Sequence, residues 1–121
     1  MRTAPALLLA ASMVGLLMSA SVFAADAPKK EETGQEIAFN NKEGNCLACH
    51  SLPSDPKAVT LANIGPPLVA MKARFPDKSK LREQIWDATK ANPNTSMPPF
   101  GKHKILTEQQ IDKVVDYIYG L

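Results

Sequence analysis

Cys46, Cys49 and His50 stand in "NNKEGNCLACHSLP", and the two cysteines are the only ones in the 121-residue chain. Two thiols at this spacing, with an imidazole directly after, could serve four chemistries. A thioredoxin-like redox pair needs a βαβ setting, and no convincing run of strands surrounds the motif. A zinc site would recruit His103 beside Cys46, Cys49 and His50. The adjacency of Cys49 and His50 makes a tetrahedron awkward, and paired Cys/His spacing is absent. A disulfide between Cys46 and Cys49 would close a loop too short to stabilise much.

The fourth chemistry is covalent attachment of a c-type haem, for which C-x-x-C-H is the signature. Two thiols add to the vinyl groups on one edge of the porphyrin, and His50 reaches the iron from below. The residues favour this reading. Once both sulfurs are thioethers no free thiol remains, so cysteine chemistry in the same pathway belongs to another molecule.

The second axial ligand decides between electron transfer and catalysis at the metal. Of the five methionines, Met1, Met13 and Met18 lie in the first two dozen residues, which leaves Met71 and Met97. Met71 sits in the helix-like stretch "GPPLVAMKARF", where it shares a face with Leu68 and Phe75 and reads as a core residue. Met97 sits in "NPNTSMPPFGKH", where Pro93, Pro98, Pro99 and Gly101 exclude an ordinary helix and stiffen the loop. Met97 is the expected sixth ligand, and His103 its rival. A His50/Met97 iron has no open position for substrate, favours Fe(II) and passes electrons.

The elements that must position these groups lie between Gly34 and Leu121. Before them, Arg2 and the apolar run "APALLLAASMVGLLM" lead to Val22-Phe23-Ala24, an A-x-A-like cleavage site, so residues 1–24 read as a signal peptide. The run is shorter than the roughly 20 apolar residues that span a bilayer. Residues 25–33 read as a flexible polar tail. Without Arg2 the 14 basic residues become 13 against 12 acidic ones, which does not point to nucleic acid. A small exported domain needs help from disulfides or a cofactor to stabilise its core.

A first helix is expected from about Gly34 to Gly44, delivering the chain into the cysteine motif. A Pro- and Gly-containing loop covers 51–67, and a further helix about Ser79–Lys90 repeats apolar residues at Leu81, Ile85 and Ala88. The last helix is the clearest. Thr107 and Gln110 make a T-x-x-Q capping box, and Ile111, Val114, Val115 and Ile118 form one stripe. The fold class is all-α, short helices around one covalently attached haem that supplies much of the core.

Helix, C-x-x-C-H, Gly-Pro-x-Leu, methionine loop and C-terminal helix together resemble class I cytochrome c. That resemblance implies that the Pro66 carbonyl accepts a hydrogen bond from His50, and that Phe39 and Tyr117 mark the contact between terminal helices. More narrowly, "NIGPPL", "RFPD", "MPPFGKHKILT" and "VVDYIYGL" resemble the SoxX family, the monohaem subunits of thiosulfate-oxidising SoxAX complexes. The resemblance implies a periplasmic heterodimer acting as L-cysteine S-thiosulfotransferase. A SoxA-like partner would join thiosulfate oxidatively to a cysteine of the carrier SoxYZ, and this chain would pass the electrons to a soluble cytochrome c.

Two other functions stay open on the residues: a free-standing electron shuttle, and a ligand-binding sensory haem protein from which Met97 departs readily. Lys72, Arg74, Lys78, Lys80 and Arg82, with Lys102 and Lys104, could steer an acidic partner, but read better as solvated helix faces. Trp86 is expected to pack beside the haem, with a partner anchor as its alternative role.

Overall fold

The structure is a computed structural model that describes residues 30–121; the expected signal peptide lies outside them. Among the described residues four α-helices follow one another, α1 (Gly34–Phe39), α2 (Met71–Arg74), α3 (Lys78–Trp86) and α4 (Glu108–Tyr119). Two single-turn 3₁₀ segments, Cys46–Ala48 and Ala88–Lys90, sit between them. No strand occurs among the described residues, which leaves the thioredoxin reading without its sheet.

The helix α4 organises the rest. The Thr107 hydroxyl accepts from Gln110 N while the Gln110 side chain accepts from Thr107 N, so two otherwise orphaned donors are satisfied. Ile111, Val114, Val115 and Ile118 are all buried, and the stripe they form packs chiefly against α1 and α3. The same reciprocal cap starts α1 at Thr33 and Glu36. At that crossing a Cβ on Gly34 would fall 2.0 Å from the Lys113 carbonyl oxygen, so only a glycine lets the helices approach this closely. One turn further, the Phe39 and Tyr117 rings meet edge to face, centroids 6.1 Å apart.

Two helices stop earlier than their apolar patterns suggest, and an Asn or Asp ends each. The helix α1 ends at Phe39 rather than near Gly44, because Asn40 turns to extended backbone and its carboxamide takes up Lys42 N and Glu43. The chain then folds back, and Gly44 N donates to Ile37 O. The helix α3 runs Lys78–Trp86, because Asp87 leaves helical geometry and its carboxylate caps the next turn by accepting from Thr89 N. Side chains of this kind compete with the helix for the backbone.

Candidate functional site

The cysteine turn is built by its backbone. Asn45 adopts left-handed geometry (φ 47°), which Asn tolerates better than most residues, and turns the chain into the 3₁₀ segment. Cys49 N and His50 N both donate to Cys46 O. With about three residues per 3₁₀ turn, side chains at i and i+3 eclipse, so Cys46 and Cys49 leave the backbone on the same side. They are half-buried and not joined to one another. Burial pushes the Cys46 thiol up to about 11.

His50 is held from behind. Its Nδ1 lies 2.7 Å from the Pro66 carbonyl oxygen. A carbonyl can only accept, so Nδ1 is the donor and Nε2 is the ring nitrogen turned away from this bond. Gly65 lies flat behind the ring, and its own N–H donates to Cys49 O at 2.7 Å.

Met97 comes from the loop between Asn92 and Phe100. Thr95 N donates to Asn92 O, and the Thr95 hydroxyl accepts from Met97 N at 3.1 Å. The C-terminal end of this loop is anchored at the end of α3. Gly101 N and Lys102 N donate to Trp86 O, and the Lys102 ammonium lies 3.1 Å from the buried carboxylate of Asp87. The Thr89 hydroxyl and then the Lys102 ammonium hold the Asp87 carboxyl below its ordinary value, against the opposing effect of burial. Sequence reasoning passed over Asp87; its signal was the Asp-x-Thr spacing of a capped turn.

Cys46, Cys49, His50, Pro66 and Met97 all line one cavity of about 790 Å³. Leu68, Leu81, Ile85 and Phe100 complete much of its wall and are themselves buried. An apolar chamber with two thiols, an imidazole with its outer nitrogen free and a thioether suits a covalently bound iron porphyrin. Met71 lines the same cavity; it is 1% exposed, and its sulfur accepts from Arg74 Nη1 at 3.5 Å.

His103 is exposed and absent from the cavity wall. Among the described residues no three His, Cys, Asp or Glu side chains gather as a metal cluster, so the zinc alternative has no geometry behind it. Trp86 differs from expectation. Its ring lies against Gly101 and beneath the Arg82 guanidinium, 5.3 Å from the ring centre, and it does not line the cavity. The basic segment is largely paired: Lys78 with Asp116, Lys80 with Glu83, Arg82 with Glu108 and Asp112. That pairing matches solvated helix faces better than a steering patch.

An all-helical fold with the C-x-x-C-H turn, a proline-backed histidine and a methionine loop on one apolar chamber defines a c-type cytochrome. The family model described as cytochrome c matches residues 31–121, and the chain belongs to that family, whose members bind haem c covalently and transfer electrons. Within the family it is SoxX-like. One chain in the crystal structure of SoxXA from P. pantotrophus shares 28% identity and a TM-score of 0.63, over 71% of this chain and 77% of that one. A protein of Aquifex aeolicus (strain VF5), called an uncharacterized lipoprotein, is 34% identical over 79 residues, 65% of this chain. The match spans only 37% of that relative's length. Among the described residues no helix is long and apolar enough to cross a membrane.

Proposed function

We propose that this chain is the electron-transfer subunit of a periplasmic SoxAX-type complex. Cys46 and Cys49 would hold one haem c as thioethers, His50 and Met97 would ligate its iron, and the Pro66 carbonyl fixes the His50 ring. The bound haem supplies a one-electron iron couple whose reduced state the methionine sulfur favours. Leu68, Leu81, Ile85 and Phe100 exclude water from the chamber, and the two axial side chains leave no position for substrate. No thiol is left over for sulfur chemistry. Bond formation between thiosulfate and the SoxYZ cysteine, which releases the thiol proton and two electrons, therefore falls to a SoxA-like partner. The electrons leave singly through this chain to a soluble cytochrome c.

Support for a resident subunit over a free shuttle comes from the likeness to SoxXA and from one surface beside the site. That surface is the observation that carries the reading. No charged residue occurs between Lys57 and Lys72. In this segment Ala58 packs on the core and the Thr60 hydroxyl donates to Leu47 O at 2.8 Å, so Val59 and Leu61 between and beyond them turn outward. Val59, Leu61 and Ile64 are 90%, 100% and 70% exposed, and Ile64 reaches the cavity rim. An uncharged apolar surface matches the buried centre of a lasting interface.

The test is mild affinity purification of a tagged chain from its native periplasm, with haem-stained gels and a thiosulfate-conjugation assay. A second cytochrome that copurifies and carries the conjugating activity is expected. A lone monohaem protein that exchanges electrons without that partner would return the chain to a free shuttle.

A further inference from the structure

We propose that Asp55 is the positioning residue of the exposed docking loop, tying its foot to α1 and α4 so that Val59 and Leu61 are held ready for the second cytochrome. The inference rests on the reading of that loop as the partner surface.

Asp55 is buried, and the chemistry at the haem makes no use of it. Among the described residues no cation forms an ion pair with it, whereas the other buried carboxylate, Asp87, has Lys102. Its partners are neutral donors from three elements. Gln35 Nε2 of α1 and the Tyr117 hydroxyl of α4 both donate to Oδ2, and Lys57 N donates to Oδ1 at 2.9 Å. The Tyr117 hydroxyl first, then the Lys57 amide and Gln35, hold the carboxyl below its ordinary value, so it is ionised at neutral pH. A buried carboxylate without a counter-charge is a costly way to fill space. What this one supplies is a fixed place for the chain that bears it.

That chain is a tight turn at the root of the loop. Asp55 N donates to Leu52 O at 3.1 Å, and Ala58 N donates to Asp55 O at 3.0 Å. Pro56 has a fixed φ and no N–H, so Lys57 N is the first amide after Asp55 that its side chain can take. Val59 N then donates to Lys57 O at 3.0 Å, and the Thr60 hydroxyl reaches Leu47 O in the cysteine turn. Val59 and Leu61 are therefore exposed side chains on a backbone restrained from two directions. Asp55 holds it to α1 and α4, and Thr60 holds it to the turn that bears Cys46 and Cys49. Apolar side chains on a fixed backbone lose less freedom when a partner covers them, which raises affinity without adding a contact.

The test uses the haem-loaded full chain with Asp55→Ala, Asp55→Asn, Leu61→Ser and the double variant of Asp55→Ala with Leu61→Ser. Association with the copurified second cytochrome is measured by sedimentation at a temperature where every variant is folded, so that a residue serving only stability leaves it unchanged. Asp55→Ala is expected to weaken association about tenfold, although no exposed side chain is altered and the haem spectrum stays the same. Asp55→Asn should recover it to within about threefold. Its oxygen still takes Lys57 N, and its amide can donate to Tyr117 and Gln35 once these turn round. The double variant should lose less than the product of the two single losses, because Asp55 acts through the exposed side chains. Association within about twofold of the wild type in Asp55→Ala, while Leu61→Ser weakens it, would overturn the role. So would an equal loss in Asp55→Asn, or losses that simply multiply in the double variant. If Leu61→Ser itself leaves association intact, the partner surface beneath the inference is the part that fails. Tyr117→Phe, which frees the carboxylate from α4 and keeps the ring against Phe39, carries the same criterion if Asp55→Ala does not fold.

Discussion

A Cβ built on Gly65 would lie 2.4 Å from Cε1 of His50 and 2.6 Å from Nδ1, so the imidazole rests directly on the glycine Cα. No glycine among the described residues has positive φ, and the requirement at Gly65 is therefore one of space. Gly65→Ala should displace the ring from the Pro66 carbonyl or open the loop, at about 1–3 kcal/mol for an overpacked site. Covalent haem per chain and the thermal midpoint check this. A fully loaded Gly65→Ala protein with unaltered stability would show that the contact yields without consequence.

Met97 and His103 make opposite predictions. Met97→Ala should open one axial position, so that carbon monoxide binds the reduced protein at neutral pH. The midpoint potential should fall by roughly 0.1 V or more, within the roughly 0.8 V over which axial ligands act. His103→Ala, at an exposed position, should change neither. Optical titration of both variants decides the ligand, and the reverse pattern would transfer the role to His103.

Asp87 joins the end of α3 to the methionine loop through Thr89 and Lys102, and this connection should fail in acid. Its carboxyl is held below the ordinary value of 3.8, first by the Thr89 hydroxyl. A group with a lowered folded pKa contributes stability that is present above its unfolded pKa and lost as pH falls through the folded one. Asp87→Asn should therefore lower the thermal midpoint by several degrees at neutral pH. The gap from wild type should narrow as pH drops below about 4. A gap that stays constant down the acid limb would assign the effect to packing and not to charge.

Leu61 is fully exposed, so Leu61→Ser should move stability by no more than about 0.5 kcal/mol. On the proposed function it should nevertheless weaken copurification of the second cytochrome at least tenfold, while the haem spectrum stays unchanged. Sedimentation of the isolated complex gives the readout. Unimpaired association would place the partner on another face and leave the exposed loop unexplained.

Much of the site chemistry was legible because it is local. C-x-x-C-H concerns five consecutive residues, the T-x-x-Q cap of α4 concerns four, and the proline-rich surroundings of Met97 exclude a helix without reference to anything distant. The stripe from Ile111 to Ile118 needed only helical periodicity to announce a buried face. Helix ends were less legible. Asn40 and Asp87 each stop a helix by offering its backbone a side-chain alternative, and apolar spacing alone gives no sign of which way that competition goes.

The sequence by itself determined the cofactor chemistry, the helical class and the two candidate axial ligands, since residue type and short spacing dictate what atoms can do. Only the tertiary structure decided where longer side chains found their partners. Trp86 turned to Gly101 and away from the chamber, Arg82 reached Asp112 thirty positions away, and Arg74 found the Pro67 carbonyl. Their partners are brought near by the packing of α3 on α4 and by the fold of the loop behind His50. A long cationic or aromatic side chain can satisfy itself in many ways, and the choice among them is made by which backbone the completed fold sets within its reach.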